Sequence, residues 1–291
     1  IICYLIIMKI LALHNIFVEP GMALSNKTGY PFFTIKTYMP DFNDILILFG
    51  AHNAGELLIK LRQKHNINYI IMQSEQLNSV CFNLPFYKEL LKSCLVFDWS
   101  YLNIKLLKTQ HGITCKNIFS WCFLKPYEIS IDMNIAQNYD IFFAGVRTQE
   151  RETLILRLKR LNPKLKWFVD LDYRLTDYQR FTKIISRCKY IINIPAYKGS
   201  ALETHRIIKG LYSGCQVLSE PSEDIQLTKE LTPYVHFGNL DKLIKNIEFL
   251  KKKDGIEEYI KNYEAPKIQH LKNEMEMFKC DTEIQNAVDG Y

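Results

Sequence analysis

The stretch from Tyr190 to Asp224, YIINIPAYKGSALETHRIIKGLYSGCQVLSEPSED, constrains the fold more than any other part of the chain. It reads as strand, loop, helix, glycine turn and second strand. The apolar runs Tyr190–Ile194 and Gln216–Leu218 are short, as suits strands buried on both faces of a parallel sheet. Between them Leu202, Ile207, Ile208 and Leu211 recur at helical spacing, and Gly214 stands where a helix C-terminus favours a left-handed residue. The polar residues gather where the strands end: Tyr197, Lys198, Gly199, Ser200, Glu203, His205 and Arg206 at one loop, Ser219, Glu220 and Ser222 at the next. Ligands of open parallel sheets bind beyond the carboxyl ends of the strands. The segment therefore predicts a nucleotide or sugar-nucleotide pocket.

The same rhythm runs through the rest of the chain. Ile10–Leu13, Ile45–Phe49, Tyr69–Met72 and Leu95–Phe97 read as strands, each followed by polar residues, with helical spacing over Ala54–His65 and Phe86–Cys94. After a junction near residues 125–139 the alternation restarts. Asp140–Ala144 and Trp167–Val169 are further strands, Arg151–Leu161 and about Tyr178 to Ser186 are helices, and Asp241–Lys253 is an amphipathic helix. Strands alternating with helices predict an α/β protein of two doubly wound, Rossmann-like halves with parallel sheets and a cleft between them. The expected domains are 8–130 on the acceptor side, 131–265 on the donor side, and a C-terminal helix and tail over 266–291.

Composition narrows the partners. The formal charge is +6 over 291 residues, without a Lys/Arg block or a nucleic-acid module, so an acidic ligand fits and nucleic acid does not. The eight cysteines form no C-x-x-C pair and no zinc spacing, and several lie in apolar runs, which points to a reduced, cytoplasmic compartment. The apolar start, IICYLIIMKILAL, is too short to span a bilayer and is broken by Lys9. Met8 reads as a natural start of the first strand, which makes residues 1–7 an extension outside the fold.

The motifs resemble a group of compact bacterial and viral GT-B glycosyltransferases with the pattern hxNIHxY…xxExxRIxxLLxxGxxVVSExSxD. Asn193, Glu203, Arg206, Ile207, Gly214, Val217, Ser219, Glu220 and Asp224 fall on it. Pro195 stands in place of the pattern's His. Tyr69 to Leu77 fits the group's YIIxxxEQL, Val96 to Ile104 fits VWDYSxxNIxxL, and Phe143 to Arg151 fits FxGxxxxRR with one of the paired arginines kept. More distantly, the segment from Ser186 to Cys215 is similar to exostosin-type transferases of the same fold. The resemblance implies a sugar transfer from a nucleotide-diphosphate sugar to a glycan or other hydroxyl acceptor, with no cofactor beyond that co-substrate. Many retaining members hold ribose with a second glutamate in this helix; Lys209 stands there, which passes that role to Glu220 or Glu203.

Such a transfer needs a grip on the diphosphate, a sink for the departing charge and a group to handle the acceptor proton. Gly145 with Arg147 or Arg151, and Lys198-Gly199-Ser200, supply glycine turns at helix starts suited to phosphate. Glu203 and Arg206, three apart, read as hydroxyl and phosphate ligands or as a plain i,i+3 ion pair. Ser219 and Glu220 complete the donor set. For the acceptor, Glu75, His14 and His52 are the candidate bases, with Glu19 behind them. Asp98 and Asn103 read as structural or acceptor-orienting. Asp170-Leu171-Asp172 matches a D-x-D metal motif, but that pattern is common by chance and the expectation is a metal-independent transfer. The expected partners are a nucleotide-sugar donor and a glycan or glycoconjugate acceptor, with peripheral membrane association open. Two rival readings stand beside this one: a nucleotide-sugar epimerase of the same fold, and a non-catalytic nucleotide- or glycan-binding protein.

Overall fold

The computed structural model describes residues 7–77, 79–118, 138–172, 178–253 and 256–289. Residues 1–6 of the expected extension and 125–137 of the expected junction lie outside them. By its internal contacts the chain divides into two units, Ile1–Phe123 with Ala265–Tyr291, and Leu124–Glu264. Each is built on a sheet whose strands are all parallel.

In the first unit the strands are β1 (Met8–Ala12), β2 (Phe32–Thr34), β3 (Ile45–Phe49), β4 (Asn68–Gln73), β5 (Leu95–Asp98) and β6 (Asn117–Ile118). Their order is β2-β1-β3-β4-β5-β6. In the second they are β7 (Tyr139–Ala144), β8 (Trp167–Asp170), β9 (Cys188–Asn193), β10 (Gln216–Ser219) and β11 (Val235–Phe237), in the order β11-β10-β9-β7-β8. Both sheets are wound alike. The chain starts on an inner strand, steps outward once, and returns to the other side. That reversal puts a topological switch between β1 and β3 in one unit and between β7 and β9 in the other, where side loops part and a crevice forms beyond the strand ends. The two doubly wound α/β halves expected from the sequence are present.

The central strands are apolar because both faces are covered. Ile45 to Phe49 are completely buried, as are Ile191 and Ile192. The first core adds Leu58, Tyr69, Ile71, Leu90 and Leu107; the second gathers Ile141, Phe143, Leu158, Leu218 and Ile244. Lys9 is the exception on β1. Its ammonium is held by Asp44 (2.8 Å) and Asp41 (3.1 Å), and the Tyr38 hydroxyl donates to Asp44 as well (2.7 Å), which compensates a buried charge at the amino end of the sheet.

Several elements differ from the sequence expectation. The helix expected over Asp241–Lys253 stops early: Leu240–Lys245 is α-helical, Ile247–Phe249 forms a single 3-10 turn, and the chain then leaves helical geometry. Gln216 draws it away, accepting from the Lys253 amide (2.8 Å) and donating to the Lys253 carbonyl (2.9 Å). The helix after β9 begins at Thr204, so Glu203 stands at its N-cap position, with no side-chain capping bond, rather than on its face. Helices Val18–Thr28 and Tyr101–His111 and the edge strands β2 and β11 are additions to the expected set. No helix among the described residues is long and apolar enough to cross a membrane.

Candidate functional site

In the first unit the polar side chains collect beyond the carboxyl ends of β3, β4 and β5. Gly50 turns the chain after β3 with φ of 78°, a left-handed conformation that favours glycine, and starts the 3-10 turn Ala51–Asn53. His52 is thereby buried, its ring edge-on to both Phe17 and Tyr87. Its Nε2 lies 3.1 Å from Glu75 Oε1, and its Nδ1 is buried with no hydrogen-bond partner. Glu75 is 21% exposed and also accepts from the Ser79 hydroxyl (3.2 Å).

A second layer fixes Glu75. The register of β4 and β5 sets Gln73 beside Asp98, and Gln73 Nε2 donates to Asp98 Oδ2 (3.0 Å) and to the Glu75 carbonyl (2.7 Å). Gln73 Oε1 accepts from the Glu75 amide and from the Tyr87 hydroxyl. Asn103 Nδ2 donates to Asp98 Oδ1 (3.2 Å) and to the Glu75 carbonyl (3.4 Å). Asp98 is completely buried, and burial pushes its carboxyl well above the usual range despite hydrogen bonds from Ser100, Asn103 and Gln73. Burial likewise raises Glu75, against the Ser79 hydrogen bond. It lowers His52 to about 4, with the neighbouring His14 adding to the effect. Burial thus works against the charged form of both partners.

In the second unit the crevice lies beyond β7 and β9, and its floor is an ion triad. Arg151 and Arg206 both grip Glu203, each at 2.6 Å, and the Ala196 amide donates to the same carboxylate at 2.8 Å. The guanidinium groups are spent on carbonyls as well. Arg151 donates to Ile194 and Val146, and Arg206 to Ala144 and to the Asn193 amide oxygen. Both rings of charge lie against Phe143, 5.4 and 5.0 Å from its centroid. Burial opposes ionisation of Glu203, but Arg206 and Arg151 outweigh it and hold the carboxyl below its usual value. Gly145 leaves room for this packing: a Cβ there would sit 2.8 Å from Arg206 Nη2 and 3.1 Å from Arg151 Nη1.

The predicted donor residues thus divide in two. Arg151, Glu203, Arg206, Ser200 and Ser219 are buried. Ser200 donates to the Tyr197 carbonyl (2.7 Å), and Ser219 joins Asn193 (3.1 Å) across β9 and β10. These residues shape the loops. Arg147 and Lys198 stand exposed at the rim, Arg147 paired with Asp172 (2.8 Å) and with Glu152. Gly199 is left-handed at φ 73°. Glu220 borders a cavity of about 410 Å³ with Gln149, Glu150, Thr153, Leu154 and Arg157.

Other sequence candidates fall differently. His14 is exposed and caps the turn Asn15–Phe17, its Nδ1 accepting from the Ile16 amide (3.3 Å). Asp170 accepts from the Asp172 amide (3.0 Å), while Asp172 faces Arg147, so the two carboxylates of the D-x-D have separate hydrogen-bond partners. Lys209 lies over the Phe181 ring (4.9 Å). Gln73 and Tyr87 were not singled out from the sequence, though one signal was available: Gln73 and Asp98 are the first polar residues ending adjacent strands.

No family model matches the chain, and no curated protein matches it either. Solved structures do. Anabaena Alr3699/HepE in complex with UDP aligns with a TM-score of 0.53 at 12% identity, over 93% of this chain and 99% of that one. An alpha1,3-fucosyltransferase aligns with a TM-score of 0.47 at 11% identity, over 86% of this chain and 80% of that one. The likeness rests on the first and is one of fold: each unit of this chain is α/β on a parallel sheet, a GT-B-like architecture.

Proposed function

We propose that the chain transfers a sugar from a nucleotide-diphosphate sugar to a hydroxyl acceptor without a catalytic metal. One observation carries this reading. An acid–base pair stands beyond the carboxyl ends of one parallel sheet, and a rim of exposed cations and turn amides stands beyond the carboxyl ends of the other. A two-substrate transfer uses both chemistries, a base for the acceptor hydroxyl and positive charge for the departing diphosphate. That HepE was crystallised with UDP on the same fold supports a nucleotide ligand.

In this proposal Glu75 takes the proton of the acceptor hydroxyl as its oxygen bonds to the anomeric carbon. The bond from that carbon to the diphosphate breaks, and its electron pair leaves with the diphosphate. Arg147, Lys198 and the amides of the loops after β7 and β9 stabilise the charge that develops there. Arg151, Glu203 and Arg206 hold those loops, and Glu220 takes nucleoside hydroxyls in the adjoining cavity. A base on the acceptor side implies single displacement, hence inversion at the anomeric carbon. The test is calorimetry with UDP, GDP, CDP and ADP, with and without Mg²⁺ or Mn²⁺. Binding of one nucleotide, unchanged by metal and weakened in Arg147→Gln/Lys198→Gln, is the expected result. Metal-dependent binding would move the role to Asp170 and Asp172, and no binding to any nucleotide would overturn the reading.

A further inference from the structure

A second concave surface lies at the opposite, amino-terminal end of the first sheet, where β4, β5 and β6 begin. It encloses about 490 Å³ and is bordered by Arg62, Lys92 and Lys116, with Asn68, Ser93 and Thr114 between them and Phe278 of the C-terminal helix at one side. Among the described residues no carboxylate is in its lining. The cavity beside Glu220, by contrast, has two carboxylates and one arginine.

Arg62 is its organising residue. The guanidinium lies over the Tyr69 ring, 5.0 Å from the centroid, and donates to Ser93 Oγ (2.8 Å) and Cys94 Sγ (2.7 Å). Its Nε is buried with no hydrogen-bond partner. None of the three cations pairs with a carboxylate among the described residues. A basic residue in the last turn of a helix is commonly explained by the helix dipole, and Arg62 and Lys92 do lie in such turns. That explanation does not account for Arg62, whose donors reach a hydroxyl and a thiol rather than the terminal carbonyls. It does not apply to Lys116, which lies on the lead into β6.

We propose that this surface binds a phosphate group, with Arg62 as a fork pre-oriented by Ser93, Lys92 and Lys116 as mobile cations, and Thr114 as a hydroxyl donor. A planar guanidinium already stacked and hydrogen-bonded loses little freedom on meeting a phosphate oxygen. The site is separate from both crevices described above and does not depend on the transfer reaction. The phosphate can be part of a soluble molecule or of an anionic lipid headgroup.

The test is a titration of the full chain with inorganic pyrophosphate, followed by amide NMR. Saturable shifts are expected at Ser93, Gly112, Thr114 and Lys116. Arg62→Gln weakens them by about tenfold, as does Lys92→Gln/Lys116→Gln, which changes only exposed side chains. Arg147→Gln/Lys198→Gln leaves these shifts in place, which separates this site from the proposed donor site. Sedimentation with phosphatidylglycerol vesicles, against phosphatidylcholine alone, identifies the source. Vesicle binding that needs Arg62 and is competed by pyrophosphate assigns a lipid headgroup; pyrophosphate binding without vesicle binding assigns a soluble phosphate. Absence of saturable shifts at these amides, or shifts of equal affinity in the Lys92→Gln/Lys116→Gln variant, overturns the proposal.

Discussion

Glu75 in the first unit and Glu203 in the second are both carboxylates beyond the carboxyl ends of a parallel sheet, shielded from water and in contact with a basic side chain, though Glu75 follows β4 and Glu203 follows β9, the counterpart of β3. They differ in what that base can do. Arg151 and Arg206 cannot release a proton, so Glu203 stays ionised and its oxygens are occupied by two guanidinium groups and an amide. His52 can, and burial works against the charged form of both partners in the first pair, with Nδ1 unpaired. A permanent cation makes a buried carboxylate part of the frame. A titratable one makes it a reagent.

Replacing each glutamate by glutamine tests the contrast most severely. Glu203→Gln removes one charge from a buried triad and leaves two guanidinium groups facing each other. The expected loss is about 3–5 kcal/mol of stability in the second unit, read by urea unfolding. Because the folded-state pKa of Glu203 lies below its ordinary 4.5, its contribution is present above that value and disappears as pH falls through the folded value. A Glu203→Gln protein as stable as the parent at pH 7 would erase the distinction drawn here.

The next effect is on rate. Glu75→Gln keeps the shape of the first crevice but cannot accept a proton. Transfer is expected to fall by about 10²-fold or more while nucleotide affinity stays within twofold or so. In the parent, the rate rises with pH through the raised pKa of Glu75, and Glu75→Gln flattens that rise. A variant that retained full transfer and the same pH profile would remove Glu75 from the chemistry and leave the first crevice as a binding surface.

A smaller loss is expected from Gly145→Ala. Its new Cβ would have to displace the ends of Arg206 and Arg151 from Glu203 and the carbonyls, at a cost of about 1–3 kcal/mol. Gly112→Ala gives the reference, since there a Cβ would meet nothing within 4 Å and only the left-handed φ of 64° opposes it, at about 1 kcal/mol. Equal thermal shifts in the two variants would mean that the triad tolerates movement.

The sequence made the strands legible and the roles of their flanking residues only partly so. Ile45–Phe49 is a run that fits little besides a buried strand, and it begins and ends as read. β2 was hidden because Phe32–Thr34 is three half-buried residues at a sheet edge. Helix Val18–Thr28 was hidden because Pro20 and Gly21 argue against it locally. Pro20 falls in the first turn, where its missing N–H costs little, and a Cβ on Gly21 would come within 2.4 Å of the Phe32 ring. For the candidate site, residue type pointed to side chains that gather beyond the strand ends, His52 and Glu75 in one unit and Arg151 and Glu203 in the other, although Arg151 lies in the helix Gln149–Leu161 and Glu203 at the start of the next. Type did not tell a side chain that meets ligand from one that meets Ile194 or Ala144. Arg147 and Arg151 read alike along the sequence; one is exposed and the other is 1% exposed with its donors on backbone carbonyls. That difference comes from the return of β9 beside β7, a contact between residues 49 positions apart that spacing does not encode.

The smallest effect is the one that reports the proton directly. With the pKa of His52 at about 4, its ¹⁵N shifts should stay those of a neutral imidazole down to about pH 4, well below the ordinary 6.5. Between those values the unfolded chain binds a proton that the folded one does not, so His52 adds stability as pH rises from about 4 to 6.5. Glu75 acts in the opposite sense. Its folded pKa is above 4.5, so stability is lost as pH rises from 4.5 through the folded value. Glu75→Gln should therefore raise stability at pH 8, the reverse of Glu203→Gln. If His52 instead titrates above 6.5 and Glu75→Gln destabilises, the first pair is ionic like the triad, and Glu75 is frame rather than reagent.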